Sequence, residues 1–372
     1  MILTLSLWIL FVGAITFSCL VYGFLGWRLR TVSGSSPKAV AATEGTSVIV
    51  CARNERQNLK ILLPLLFQQQ CPSLEVVVAD DASSDGTRSF LRAQQEIHPQ
   101  LTVIPIDERP PGIQPKKHAL QQAIRAARYE RLVLTDADCR PASAYWLARM
   151  SGQLRNDVQV VLGYSPYFRQ PGWLNRFIAY ETLHTGLLYL GSALANRPYM
   201  GVGRNLAYRK TFFELGQQFH KHRSVVGGDD DLWVNEHAQP ASTRVELAAD
   251  ALVYSVPETN LRAYFDQKTR HLHASQYYAI QDKLWLGALS LSTVVTWLAG
   301  ILLLALSDIW YAIVGLFLLR WLILAAVFHT AGRRLHDPIK PGLLPILDFL
   351  HVIYYIVVGT RAIATTNIPW KN

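Results

Sequence analysis

A chain of 372 residues in which half are apolar and four are cysteine excludes disorder, a collagen-like rod and a small disulfide scaffold. Only 17% of its residues are charged, against nearer a quarter in an ordinary soluble enzyme. The 36 Lys and Arg exceed the 27 Asp and Glu and give a formal charge of +9, an excess that suits nucleic acid, anionic lipid or a phosphate-bearing substrate.

The first 27 residues contain no Asp, Glu, Lys, Arg or His, long enough to cross a hydrocarbon core that needs about 20 helical residues. No basic residue precedes the run, and it exceeds the roughly 7–15 apolar residues of a signal peptide. An uncleaved anchor over residues 1–27 is therefore expected. Arg28, Arg30 and Lys38 follow it, which puts the next segment in the cytoplasm. Residues 28–45, rich in Ser, Ala and Gly beyond Thr31, read as a linker.

Residues 46–272 have ordinary polarity and suffice for one domain. Thr46–Cys51 is a β-branched strand, followed by Ala52, Arg53, Asn54 and Glu55 and a helix through Leu59, Leu62, Leu63 and Leu66. A second strand, Leu74–Ala79, ends in Asp80-Asp81-Ala82-Ser83-Ser84-Asp85-Gly86-Thr87. A helix over 88–97, a strand over 101–106, a helix over 116–127 and a strand over 131–135 follow, the last ending in Asp136-Ala137-Asp138. This alternation predicts an α/β domain with a largely parallel, doubly wound sheet, whose ligands bind at the carboxyl ends of its strands. The acidic clusters sit at those ends. No GxGxxG and no Walker A loop is present, so a dinucleotide or P-loop site is excluded. Asp136 and Asp138, alternate residues at a strand end, offer hard oxygen ligands suited to Mg2+ or Mn2+ with phosphate completing the shell.

Four motifs in register, Ser47–Glu55, the Asp80–Thr87 run, Lys116 with Ala119 and Leu120, and Asp136-x-Asp138, resemble glycosyltransferase family 2 with its GT-A fold. The flanking apolar segments further resemble its cellulose, hyaluronan and poly-N-acetylglucosamine synthase branch. The resemblance implies a nucleotide-diphospho-sugar donor, usually a UDP-sugar. Ala52, Arg53, Asn54 and Glu55 would hold the nucleotide, Asp81 the base, Lys116 the diphosphate, and Asp136 and Asp138 the sugar-nucleotide and metal. Ser83 and Asp85 equally suit capping of the following helix.

Trp173–Ala195 is apolar with Arg176, Glu181 and His184 interspersed; it reads as a helix lying in the membrane interface, with a core helix as the alternative. Gly203 and Asn205, in Met200–Arg209, fall where the resembling family places donor sugar and acceptor. Gly227-Gly228-Asp229-Asp230-Asp231-Leu232 supplies carboxylates for general-base work. It resembles the family's Glu-Asp-x-Asp-Leu motif, with Gly228 in place of glutamate. That alignment makes Asp229 the base, keeps Asp230 as the alternative and puts Asp231 beside the acceptor. Gln267, Arg270 and His271 resemble Gln-x-x-Arg-Trp with histidine for tryptophan, and an arginine fork suits diphosphate oxygens.

Three apolar blocks close the chain: 284–306, 309–330 and 343–363, within a C-terminal region over 273–372. The first two form a hairpin with Arg333, Arg334 and Lys340 on the cytoplasmic side. The third contains Pro345, Asp348 and His351 and either spans or lies in the interface. Arg320, inside an apolar block, must face protein, water or lipid phosphate; contact with a lipid phosphate or the catalytic domain competes with packing against Asp348. Cys19, Cys51, Cys71 and Cys139 form no CxxC pair, which speaks against structural zinc and for free thiols.

The expectation is a metal-dependent, inverting glycosyltransferase of the cell (inner) membrane with a cytoplasmic GT-A domain. Its acceptor would be a polysaccharide or a lipid-linked sugar, with membrane lipid around it and a homo-oligomer or secretion partner as further company. A non-catalytic nucleotide-sugar-binding or assembly subunit is the alternative. Nucleic acid is no partner, because the positive charges are scattered or flank apolar blocks.

Overall fold

Helix α1 (Ile2–Thr31) takes the whole uncharged run and continues past it, since no proline interrupts it. The predicted linker thus loses its first residues to the helix. The structure, a computed structural model, describes residues 2–31, 44–155, 157–215 and 219–364; most of the predicted linker, residues 32–43, lies outside them.

The domain begins with β1 (Thr46–Ala52), α2 (Arg56–Phe67), β2 (Leu74–Asp81), α3 (Thr87–Ile97), β3 (Leu101–Ile106), α4 (Pro115–Ala126) and β4 (Arg131–Leu134). These are the predicted strands and helices, displaced by a residue or two at their ends. Val and Ile dominate β1 and β2 because branched side chains fit a pleated, covered surface, and both strands are buried nearly throughout. After β4 come β5 (Cys139–Pro141), α5 (Trp146–Gly152), β6 (Val160–Gly163), α6 (Trp173–Leu194), β7 (Leu206–Arg209), α7 (Lys210–Leu215), α8 (Asp231–His237), β8 (Thr243–Glu246) and β9 (Val253–Ser255). The main sheet runs β3-β2-β1-β4-β7-β6-β8. Its β1–β4 half is parallel, whereas β7 pairs antiparallel to both β4 and β6. The sheet is the expected GT-A-type α/β sheet, mixed rather than parallel to its far edge.

Helix α6 corrects an expectation. Sixteen of its 22 residues are buried, enclosed by α1, β8 and the C-terminal helices. It is a core helix, and its apolar residues face protein on all sides instead of a lipid interface. Its Glu181 forms a buried ion pair with Lys268 at 2.5 Å, which binds it to α9 (Leu261–Ser275).

Helices α10 (Ile280–Leu306) and α11 (Trp310–Arg334) pack beside α1. Phe11, Ile15, Ala299, Leu303, Ile313 and Phe317 form their shared core. Leu3, Ile9, Leu298, Leu302, Leu318 and Leu322 are left exposed on the outside, an apolar girdle that water would disfavour and lipid would not. Together with α12 (Leu344–Ala364) these are four helices long and apolar enough to cross a membrane.

Both ends of α12 are fastened to the α/β domain. Just ahead of it, Asp337 accepts from the Tyr164 hydroxyl at 2.7 Å and pairs with Arg169. At its far end Arg361 pairs with Asp266 of α9 at 3.0 Å, and the Ala362 carbonyl accepts from Gln276 Nε2 at 2.9 Å. The helix is thus both long and apolar enough to cross a membrane and tied to the domain at each end.

Candidate active site

The loop after β1 and the loop after β2 are stitched together. Asn54, with φ 56°, donates its N–H to Ser83 Oγ at 2.9 Å and accepts from the Ser84 N–H at 2.8 Å. Glu55 N–H donates to Thr87 Oγ1 at 3.0 Å. Asp85 accepts from the N–H groups of Thr87 and Arg56 at 2.9 and 3.2 Å. Desolvation works against the Asp85 charge, but these bonds outweigh it and hold its pKa below the usual value. Asp85 therefore serves the first N–H groups of α3 and α2, whereas Ser83 bonds Asn54 instead of capping the following helix, and that contact holds the two strand ends in register. Ala52 is buried at the end of β1. Asp81 is 4% exposed, lies 3.6 Å from Arg53 Nη1, and its Oδ2 has no hydrogen-bond partner in the structure; Asp80 beside it is buried with Oδ1 likewise unbonded, but its Oδ2 accepts from Arg88 Nε at 2.7 Å. A buried carboxylate oxygen left unbonded is a cost that a donor N–H would relieve.

A second centre forms where β4, the first turn of α4 and the loop before α8 meet. Lys116 Nζ lies 3.2 Å from Asp136 Oδ1 and 2.9 Å from Asp229 Oδ2. Burial opposes the Lys116 charge, yet Asp136 and Asp229 more than offset it and raise its pKa well above the usual lysine value. Three residues more than ninety positions apart in sequence at their extremes thus share one point. Asp138, in the turn between β4 and β5, accepts from Ser255 Oγ at 3.4 Å.

The three successive aspartates diverge. Asp229 is 5% exposed and faces Lys116. Asp230 caps α8, accepting from Asp231 N–H at 2.8 Å and from Gly203 N–H at 2.5 Å. A Cβ on Gly203 would lie 3.0 Å from Asp230 Oδ2, so glycine lets the backbone come this close. Asp231 turns away to the Tyr278 hydroxyl at 2.8 Å and the Leu232 N–H at 2.8 Å. Burial, then the charge of Asp230, pushes its pKa up to about 7. Gly227 and Gly228 precede them with φ of 73° and 72°, and a Cβ on Gly228 would strike the Leu232 side chain. The glycine that departs from the family motif is thus required by this turn.

The raised Asp231 carboxyl has a stability consequence. Because its folded pKa lies above the unfolded value, the folded state holds extra proton between about pH 4 and 7 and loses stability as pH rises through that window. Asp231→Asn keeps the acceptor for Leu232, while its amide donates to the Tyr278 oxygen. Thermal melts should show the variant a few degrees more stable than the wild type at pH 8, with the gain vanishing near pH 4; an equal or lower melting temperature at pH 8 contradicts this account.

Gln267 and Arg270 share one face of α9 at i and i+3 spacing, and His271 is open to solvent beside them. Asn205 lies inside the domain. It is fully buried, its Nδ2 donates to the Tyr164 and Ala251 carbonyls at 2.8 Å each, and its Oδ1 accepts from Trp146 Nε1 at 2.9 Å. Its expected place beside the acceptor is corrected to an internal strut.

Sequence reasoning missed Lys117, whose Nζ donates to the His222 and Val225 carbonyls at 2.7 and 2.9 Å. With Gln114, which bonds Arg223 and Ser224 at 2.9 Å each, it grips the loop leading to Asp229. Burial brings the Lys117 ammonium down to about 8. No motif marks Lys117; its one signal is being the neighbour of Lys116.

Comparison with known proteins fits this geometry. The chain is 38% identical over 93 residues to an uncharacterized glycosyltransferase, YfnE, of Bacillus subtilis, covering 25% of this chain and 22% of that protein. It is 38% identical over 55 residues to polyprenol monophosphomannose synthase of Mycolicibacterium smegmatis, covering 15% and 20%. The matches thus span about a fifth of those relatives' length. Among solved structures, the mannosyltransferase PcManGT from Pyrobaculum calidifontis, in complex with GDP-Man and Mn2+, superposes with a TM-score of 0.64 at 21% identity over 98% of this chain and 99% of that one, a likeness of fold. Residues 47–218, which contain most of β1 and all of β2–β4, Lys116, Asp136 and Asp138, match the model of Glycosyl transferase family 2.

Proposed function

We propose that the chain is a membrane-bound, inverting glycosyltransferase that moves a sugar from a nucleotide-diphospho-sugar to a sugar hydroxyl on a polysaccharide or lipid-linked acceptor. The convergence of Asp136, Lys116 and Asp229 carries the reading: one cation and two carboxylates meet at the strand ends where an α/β sheet binds its ligand. The unbonded Asp81 oxygen takes the base. Uracil offers it one N–H and guanine two adjacent ones, so guanine uses a carboxylate more fully. That chemistry, with the GDP-Man complex of the structural neighbour and the mannose named in one relative, makes GDP-mannose the first donor to test, ahead of the UDP-sugars expected from sequence.

Asp136 and Asp138 fit Mg2+ or Mn2+. Among the described residues no group of three or more His, Cys, Asp or Glu could hold a metal ion, as suits a cation that takes its remaining oxygens from a diphosphate. Such an ion, when bound, offsets the charge growing on the departing diphosphate. Asp229 takes the proton from the acceptor hydroxyl as its oxygen attacks the anomeric carbon, and the bond to the diphosphate breaks on the opposite face. Lys116 and Arg270 hold diphosphate oxygens, and Gln267 lies on the same face as Arg270.

The test is transfer by the full-length protein in membranes, offered GDP-mannose and a set of UDP-sugars with Mg2+ or Mn2+, and both soluble and lipid-linked saccharides. Absence of donor binding and of transfer with every donor rejects the proposal; binding without turnover favours the non-catalytic alternative.

For the membrane, α1, α10 and α11 cross, and α12 lies along the face that bears the domain. Arg28 and Arg30 end α1, and Arg333 and Arg334 end α11, a charge bias that supports a cytoplasmic face for the domain. Single cysteines introduced at Asp308, between α10 and α11, and at Thr360 on α12 should react with an impermeant thiol reagent from opposite sides. Labelling of both from the same side contradicts this topology.

A further inference from the structure

Arg204 sits between two clamped residues. Gly203 gives its N–H to Asp230, and Asn205 is held by Tyr164, Ala251 and Trp146. The short 3-10 turn over Gly203–Asn205 is therefore fixed on both sides of the arginine. The guanidinium carbon stands 4.3 Å from the centre of the Tyr167 ring, which steadies one face of the fork. Its Nη1 is buried without a hydrogen-bond partner.

The surroundings show what this unfilled donor faces. The Gly203–Asp230 bond sets the turn beside the loop that carries Asp229, and Asp136 and Asp138 act on the Arg204 charge. Four cations belong to this part of the domain. Lys116 is paired with Asp136 and Asp229, and Lys268 with Glu181. Arg204 and Arg270 form no hydrogen bond through their guanidinium groups and no ion pair of 4 Å or less among the described residues.

A buried guanidinium donor without a partner destabilises the fold unless an anion completes it. A planar fork is also the group best matched to paired phosphoryl oxygens. We propose that Arg204 is a substrate-binding residue that donates from Nη1 to phosphoryl oxygens in the transfer site, opposite Arg270. The oxygens belong either to the donor diphosphate or to the phosphate of a carrier lipid bearing the acceptor sugar. This inference rests on the glycosyltransferase reading and adds the residue that would anchor its phosphate.

The experiment uses the full chain in lipid nanodiscs with Arg204→Gln and Arg204→Lys. GDP and UDP binding is measured by calorimetry, and the KM is measured for a saccharide acceptor on a phosphate-bearing lipid and for the same saccharide on a neutral lipid. Losing a charge-assisted bond of this kind should weaken the affected substrate roughly 10- to 100-fold. Weaker nucleotide binding assigns the donor diphosphate; a raised KM confined to the phosphate-bearing acceptor assigns the carrier lipid. Arg204→Lys keeps the charge over Tyr167 and preserves the fold if Arg204→Gln does not, but it lacks the fork and should still show the defect. Wild-type binding and KM values in a folded Arg204→Lys protein overturn the proposal, while a wild type that neither binds nucleotide nor transfers sugar rejects the underlying glycosyltransferase reading instead.

Discussion

Asp229→Asn is expected to lower the turnover number for transfer to a sugar hydroxyl by about 10²–10⁴, the range general-base catalysis supplies, while nucleotide binding persists. The reason lies in how the three neighbouring carboxylates are used. Both Asp230 oxygens accept backbone N–H groups, from Gly203 and Asp231. Both Asp231 oxygens are also engaged, with Tyr278 and Leu232. Asp229 alone of the three meets Lys116, at the strand ends. Lys116 keeps Asp136 as a partner in the variant, so the diphosphate side is preserved. Asp230→Asn should instead lower the melting temperature through the Gly203 contact and reduce turnover only as far as the loop shifts. The same variant sorts acceptors by chemistry. A hydroxyl must lose its proton as it attacks, whereas a phosphate monoester oxygen is already anionic and needs no base. Initial rates with a saccharide acceptor and with a polyprenyl phosphate, alongside calorimetric nucleotide binding, measure both points. Transfer to the saccharide within tenfold of wild type removes Asp229 from its role.

Short β-branched runs and acidic strand ends made the first half of the domain legible before any coordinates. Val and Ile in 46–52 and 74–81 state their strands locally, and Asp136-x-Asp138 announces a site because its neighbours in sequence are also its neighbours in space. The Lys116–Asp229 contact was not legible that way. It joins residues far apart in the chain, and only the family motifs put both on one list. Apolarity misled at α6 because a helix covered by protein and a helix covered by lipid have the same composition. What separates them is the partner, seen in the Glu181–Lys268 pair. Asn205 was misread because a polar residue after glycines looks like a ligand, while its bonds run inward to three separate elements. Arg204, one position earlier, carries the unfilled donor and had no motif of its own.

Arg320→Met and Asp348→Leu are each expected to destabilise the protein by about 3–5 kcal/mol, and the double variant to recover most of that loss. Arg320 is fully buried and Asp348 is 3% exposed. Arg320 Nη1 donates to Asp348 Oδ2 at 2.6 Å and Nη2 to Oδ1 at 3.0 Å, a two-pronged pair that Trp297 Nε1 joins at 2.8 Å. Of the roles expected for Arg320, the pairing with Asp348 is the one the structure shows. Removing either member strands the other charge in an apolar setting, which is where the penalty arises. Removing both strands only the Trp297 N–H, so recovery should be large but incomplete. The pair also ties α12 to its neighbours: its carboxylate is held by α10 and α11 near their middles. A double variant that melts near the wild type should therefore retain catalysis with saturating substrates, because neither residue touches the Lys116 centre. Melting temperatures and turnover of the four proteins in nanodiscs decide the matter. Single variants as stable as the wild type would show that the pair contributes nothing net, and a double variant that is stable yet inactive would return Arg320 to a functional role.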